Sequence, residues 1–166
     1  ATPLNVQVID ANTEMLRVGA KRAAAKKFAG HVSFVTGNAE HLPLADNSLD
    51  IYTVAFGIRN VTHRANALAE AWRVLKPGGR FACLEFSHMP SALLTRAYDA
   101  YSFRVIPPLG ALVTGDADPY QYLVESIRKF PRAEAFSEEV REAGFSRVAI
   151  ERLSGGVAAL HGGWKV

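Results

Sequence analysis

Apolar and polar positions change period several times along this chain, and the changes mark out alternating strands and helices. Leu4 to Ile9 is a β-rich run ending in Asp10, and the next apolar positions, Leu16, Ala20, Ala24 and Phe28, follow the four-residue spacing of a helix face. His31 to Thr36 predicts a second strand, Gly37 opens a loop through Leu42-Pro43 and Asp46-Asn47, and Leu49 to Phe56 predicts a third strand. Leu68, Trp72 and Leu75 form a helical stripe that stops at Lys76-Pro77-Gly78-Gly79, a turn before the strand Arg80 to Phe86. That rhythm is α/β.

After Pro90 the pattern changes. Leu93 to Val105 and Tyr120 to Phe130 predict helices rich in aromatic residues, separated by a Pro107-Pro108 and Gly110 loop. They form an expected helical cap inserted at about residues 90–130 of a single domain spanning 1–166. Ser137 to Ala143 predicts a short helix stopped by Gly144. Phe145 to Leu153 and Gly156 to His161 predict a hairpin across Ser154-Gly155, an antiparallel edge closing a mostly parallel sheet.

Composition narrows the class without naming a function. The 166 residues are 49% hydrophobic and 21% charged, which suits one folded domain and excludes a disordered chain. The net charge of +3 is scattered. Its short clusters, Lys21-Arg22 and Lys26-Lys27, fit a solvated helix face or a contact with an anionic membrane surface, and no stripe for nucleic acid is present. The single cysteine, Cys83, excludes an intrachain disulfide and a cysteine zinc cluster. His63, His88 and His161 lack metal-ligand spacing, so no metal site is expected. No apolar stretch approaches the roughly 20 residues of a spanning helix, and Ala1 to Asn5 lacks the features of a signal peptide, so any membrane contact is expected to be peripheral.

Several positions carry candidate chemistry. Asp10 ends a strand where open α/β sheets bind ligands, and an acid there can accept both ribose hydroxyls of a nucleotide-type cofactor. It suits a helix start equally well. Gly37-Asn38-Ala39-Glu40 follows the next strand, where an amide and adjacent backbone groups suit the edge of an adenine ring or an ordinary polar loop. Phe56-Gly57-Ile58-Arg59-Asn60 places a guanidinium and an amide just beyond a strand end, as substrate groups or as satisfied loop residues. Tyr98, Tyr101, Phe103, Tyr120 and Tyr122 suit either a helical core or the lining of an apolar pocket.

Val8-Ile9-Asp10 with Asn12 and Met15, Gly37 to Pro43, Asp50 to Thr62, Val74 to Ser87, Tyr98 to Pro107, Tyr120 to Arg128 and Gly155 to His161, taken in order, resemble the UbiE/COQ5 family of ubiquinone and menaquinone C-methyltransferases, nearest its mitochondrial branch. The resemblance implies a class I methyltransferase fold, a Rossmann-like sheet of seven strands with an antiparallel last strand. It implies S-adenosylmethionine as methyl donor and a prenylated benzoquinol as acceptor. Asp10 would hold the ribose, Met15 would pack near the adenine, Asn38 and Ala39 would contact its edge, and Ala55 would lie near the methionine part. Arg59 and Asn60 would handle the substrate and its proton, and Tyr98, Tyr101, Tyr120 and Tyr122 would line the ring and tail pocket. Other quinone-biosynthesis proteins, a second copy of the chain and a membrane surface would be its partners. The compartment would be the mitochondrial matrix beside the inner membrane, or the cytoplasm for a bacterial source.

The family pattern begins earlier, with a helical segment, a strand and a Gly-rich cofactor loop that do not precede Ala1 here. The expected consequence is a sheet without its central strand, between the strand ending at Asp10 and Leu49 to Phe56, with a bare backbone edge on each. Two other readings stay open at this point. One is a non-catalytic relative acting as a binding subunit of a quinone-synthesis complex. The other is a dinucleotide-dependent oxidoreductase, since Asp10 would suit that cofactor too.

Overall fold

A computed structural model describes residues 5–26, 29–88 and 118–166. The expected helix Leu93 to Val105 and its proline loop lie outside the described residues, as do Leu4, Phe28, Tyr98 and Tyr101.

The chain runs β1 (Val6–Asp10), α1 (Thr13–Ala24), β2 (Val32–Thr36), β3 (Leu49–Ala55), α2 (Arg64–Val74), β4 (Leu75–Phe86), α3 (Asp118–Lys129), α4 (Ala133–Glu142), β5 (Ser146–Leu153) and β6 (Ala158–Trp164). The α/β expectation holds. Strands β1 and β2 pair in parallel from Val6↔Val32 to Asp10↔Thr36. The other four form a sheet in the order β3-β4-β6-β5. Thus β1 and β3 each have strand partners on one side only among the described residues, and these are the two strands expected to flank an absent central one.

Strand β4 organises the core. Its side chains alternate, so Phe81, Cys83 and Glu85 point to one face and all three are fully buried. Leu68 and Ala71 of α2, Phe136 and Val140 of α4, and Phe145 pack with Phe81 and Cys83 in one cluster. The Phe81 and Phe145 rings lie 4.8 Å apart, as do the edge-on rings of Phe136 and His161. Burying one such large side chain contributes roughly 1.5–3 kcal/mol. Burial also disfavours charge on this face, raising the Cys83 thiol well above its ordinary range and the Tyr52 hydroxyl to about 12.

Three local expectations change. Leu75 belongs to β4 rather than to the helix before it. It pairs with Leu49, and the register then jumps to Ile51↔Arg80, so Lys76-Pro77-Gly78-Gly79 bulges out of the strand. Gly78 has φ +81°, which glycine adopts without a Cβ clash. Its N–H donates to Lys165 O, and Lys165 N–H returns a bond to Gly79 O, so the bulge is stapled to the chain beyond β6.

The expected hairpin does close the sheet, with β5 outermost; β6 lies between β4 and β5, antiparallel to both, and extends beyond His161 through Gly162 and Gly163 to Trp164. The pairing partner decided this: Arg80, Phe81 and Ala82 supply backbone groups opposite Trp164, Gly163 and Gly162. The turn into β6 is also longer than a two-residue hairpin, since Leu153 pairs with Ala158 across residues 154–157. Finally, α4 begins at Ala133, four positions ahead of the expected Ser137, because the chain enters it directly from Phe130 and Pro131, with Arg132 in the cap position.

Candidate active site

The parallel strands deliver the candidate residues to their carboxyl ends, where open α/β sheets bind ligands. Asp10 is the last residue of β1. Its Oδ1 accepts the Asn12 N–H at 2.8 Å. Asn12 in turn caps α1, its Oδ1 accepting from Glu14 N–H at 3.0 Å and Met15 N–H at 3.1 Å. Asp10 therefore does help form the helix start, while remaining exposed with its second carboxylate oxygen available. Met15, one turn into α1, is 63% exposed.

After β2 the chain makes a tight turn. Asn38 and His41 form an isolated antiparallel bridge, His41 N–H donates to Asn38 O at 2.9 Å, and Glu40 N–H donates to Asn38 Oδ1 at 2.9 Å. Ala39 sits at the tip. The Asn38 carbonyl oxygen is thus used within the turn, which leaves the amide N–H₂ as its outward donor.

Glu40 ties this turn to the segment after β3. Its Oε1 accepts Thr62 N–H at 3.1 Å and His63 N–H at 3.2 Å, and its Oε2 lies 3.0 Å from His63 Nδ1. His63 is the cap residue of α2, so a carboxylate meets the positive end of that helix. Partial desolvation opposes ionisation of Glu40, but the bonds from His63 and Thr62 prevail and hold its carboxyl below the ordinary range. Farther along, Leu42 N–H donates to Glu70 Oε2 at 2.8 Å, and Arg73 reaches Leu44 O at 2.8 Å. The segment carrying Asn38 and Ala39 is clamped to α2 at several points.

Ala55 ends β3, and the chain then turns sharply through Phe56, at φ +54°, into a short 3-10 turn, Ile58–Asn60. Ile58 is buried in the core cluster and anchors that turn. Arg59 is held by several partners. Its Nη1 lies 3.2 Å from both Glu85 carboxylate oxygens and also donates to Phe56 O. Its Cζ stands 5.4 Å from the centre of the Phe86 ring. The side chain is 10% exposed, against 0% for Glu85. The Nε–H is buried and has no hydrogen-bond partner among the described residues.

Asn60 faces the other way, its Oδ1 accepting the Tyr122 hydroxyl of α3 at 3.1 Å. Between the 3-10 turn and α3 lies a cleft of about 210 Å³ whose lining includes Arg59, Arg64, Tyr122, Glu125, Lys129 and Phe130. Arg59, Asn60 and Tyr122 are therefore brought together. Tyr122 is not core, being 58% exposed. Tyr120 lies on α3, but its side chain is outside the described residues, as are Tyr98 and Tyr101.

The sequence reading missed Glu85. A lone carboxylate at the inward-facing end of the row Phe81, Cys83, Glu85 was its only signal, legible by counting alternate positions. The role of Glu40 was hidden as well, because its partners lie more than twenty positions away. Among the described residues no cluster of three or more His, Cys, Asp or Glu is arranged to hold a metal ion.

With this geometry in view, the chain can be set beside known proteins. The ubiE/COQ5 methyltransferase family model matches residues 2–165. The ubiquinone/menaquinone biosynthesis C-methyltransferase UbiE of Methylobacterium nodulans is 60% identical over 162 residues, covering 98% of this chain and 64% of that protein. The protein of the same name from Nitrobacter hamburgensis is 60% identical over 159 residues, covering 96% and 63%. The chain thus spans less than two thirds of the length of these relatives. In fold it is similar to a crystal structure from Thermotoga maritima described as an SAM-dependent methyltransferase, possibly a histamine N-methyltransferase, with TM-score 0.68 and 20% identity over 98% of this chain and 82% of that one. On the family match, which runs almost from end to end, this chain belongs to the ubiE/COQ5 methyltransferase family.

Proposed function

We propose that a protein carrying this chain transfers a methyl group from S-adenosylmethionine to a ring carbon of a prenylated benzoquinol in ubiquinone synthesis. The observation that carries this reading is the match of residues 2–165 to the family model, supported by two relatives at 60% identity named for that biosynthesis. S-adenosylmethionine supplies the electrophilic methyl group when bound. Asp10 would hold its ribose, Met15 would cover its adenine, the Asn38 amide and Ala39 would meet the adenine edge, and Ala55 would adjoin its methionine part.

The acceptor needs activation. A phenol-type hydroxyl with a pKa near ~10 is largely protonated at neutral pH, and its ionisation enriches the ring carbon that attacks the methyl group. Arg59 is no base, because a guanidinium stays protonated. Its unpartnered Nε–H is a donor for the phenolate, or for a water that takes the hydroxyl proton. Asn60, fixed by Tyr122, would orient that water or the quinol oxygen. The cleft beside these residues would receive the ring, and Tyr98, Tyr101 and Tyr120 would extend it toward the prenyl tail.

Among the described residues no helix is long and apolar enough to cross a membrane, so a prenylated substrate would be met at a membrane surface by peripheral contact. The two relatives named above are bacterial proteins, which favours the bacterial setting over the mitochondrial matrix. Partnership with a second copy and with other quinone-synthesis proteins completes the proposal. The Arg59→Ala protein at full length should bind S-adenosylhomocysteine normally and lose about 10²-fold or more in turnover, the usual scale for proton-handling groups. Normal turnover in that variant would exclude the assigned role.

The alternative to this reading is a binding subunit without catalysis. Titration with S-adenosylhomocysteine separates the two. No binding at full length supports the subunit, and binding with turnover removes it.

A further inference from the structure

We propose that Glu85 is the positioning residue for Arg59, setting the fork so that its buried Nε–H, unpartnered among the described residues, faces the reacting hydroxyl; this rests on the role given to Arg59 above. A carboxylate at the end of a buried apolar row is costly to desolvate and needs several donors to persist there. Glu85 has them. Arg59 N–H donates to its Oε1 at 3.3 Å, Arg59 Nη1 reaches both oxygens at 3.2 Å, and Phe86 N–H donates to Oε2 at 3.0 Å. Arg59 is thus held by backbone and side chain at once.

The rest of the environment removes the freedom that remains. Nη1 also donates to Phe56 O, and Phe56 itself sits at φ +54°, a left-handed conformation unusual for a bulky residue and characteristic of functional sites. The Phe86 ring lies against the guanidinium on another side. A long, entropy-rich side chain is fixed here by a carboxylate, a carbonyl and an aromatic ring, yet Nε–H is left buried and unbonded. A buried donor without a partner is expensive. Full pairing of one terminal nitrogen with an idle Nε is the arrangement expected when the missing partner is a substrate oxygen or its water.

A stapling role alone, tying the 3-10 turn to β4, would not need a charge, since a buried ion pair can often be replaced by apolar residues without loss of stability. The two roles separate in a charge-conserving cycle made in the protein at full length: Glu85→Asp, Arg59→Lys and the double variant. Turnover is assayed on a short-tailed prenylated benzoquinol, with S-adenosylhomocysteine affinity measured in parallel. Both substitutions keep the buried charges balanced. If Glu85 positions Arg59, Glu85→Asp lowers kcat by about 10²-fold, the scale of a small misplacement of a reacting group, with KM and cofactor affinity little changed. In the Arg59→Lys background, which has no fork to aim, the same change costs nothing further. The proposal is overturned if Glu85→Asp keeps wild-type kcat, or if its loss multiplies undiminished onto that of Arg59→Lys. Wild-type kcat in Arg59→Lys overturns the role of the Arg59 fork itself and this proposal with it.

Discussion

At the scale of single residues, the two candidate groups at or beyond strand ends are held in different ways. Asp10 and Arg59 were both singled out for standing at strand ends, yet they differ in what remains to offer. Asp10 spends one oxygen on Asn12 N–H and keeps the other exposed. Arg59 spends its Nη1 on Glu85 and Phe56 and keeps a buried Nε–H without a partner among the described residues. With the ribose contact proposed for it, Asp10→Ala should therefore weaken S-adenosylhomocysteine binding by about one to two orders of magnitude, the worth of one charge-assisted bond of about 1.5–3 kcal/mol. Calorimetric titration at full length checks it, and an unchanged affinity would leave Asp10 as a helix-start residue only. His161 illustrates the opposite case, a titratable residue whose role is packing. It is 1% exposed, shares a 3.0 Å hydrogen bond with Ser137, and is lowered to about 4 by burial first and by the Arg152 charge second. The unfolded chain takes up this proton near pH 6.5 and the folded chain only near 4. Its contribution is complete above pH 6.5, declines as pH falls toward 4, and amounts to no more than about 3 kcal/mol. Urea unfolding followed across that window should show the decline in wild type and a flatter profile in His161→Gln.

At the scale of elements, the joints decide the structure more than the interiors. Helix α2 ends against Lys165, whose Nζ donates to Trp72 O at 2.9 Å, Arg73 O at 3.3 Å and Asn47 Oδ1 at 2.8 Å, and lies 3.9 Å from the centre of the Trp72 ring. An ammonium that is only 6% exposed thus closes the last carbonyls of a helix and suits its negative end. The same residue clips the bulge of β4 through its backbone. Lys165→Met keeps the stem but removes three donors, and should cost about 2–3 kcal/mol, a value readable as a lower urea midpoint at constant m. At the other side of Trp72, its Nε1–H donates to Gly144 O at 3.2 Å. Gly144 has φ +102°, and a Cβ there would stand 3.0 Å from Trp72 Nε1. The glycine that the sequence marks as a helix stop is thus also the point where α4 and α2 come close.

At the scale of the whole molecule, the pairing pattern governs behaviour. Strands β1 and β3 keep one side without a strand partner among the described residues, with Val6, Val8 and Ile51 exposed on them. Open, apolar strand edges template further pairing. The 166-residue chain by itself should therefore associate reversibly. Sedimentation velocity over a tenfold range of concentration should show the weight-average mass rising, and Ile51→Lys should lessen the effect. A single monomer at all concentrations would mean that these edges are covered in solution. The clamp of Glu40, Glu70 and Arg73 on the chain after β2 matters at this scale too, since it joins the turn carrying Asn38 and Ala39 to the helix that follows Arg59 and Asn60. Stapling those segments together would keep cofactor and acceptor sites in one geometry.

The α/β alternation, the strand end at Asp10, the Gly144 stop and the family itself were legible in the sequence alone, because they rest on local periodicity, on turn chemistry and on ordered motifs. The interior placement of β6, the bulge at Lys76 to Gly79 and the assignment of Leu75 to a strand were not, since each depends on which backbone lies opposite, and Trp164 and Lys165 are distant in sequence from Arg80 and Gly78. The site divides in the same way. Its outline was readable from residues standing where strands end, but the pairing of Arg59 with Glu85 and of Glu40 with Thr62 and His63 joins positions more than twenty residues apart. Only the packed fold sets the dielectric and the distances that turn those acids into partners.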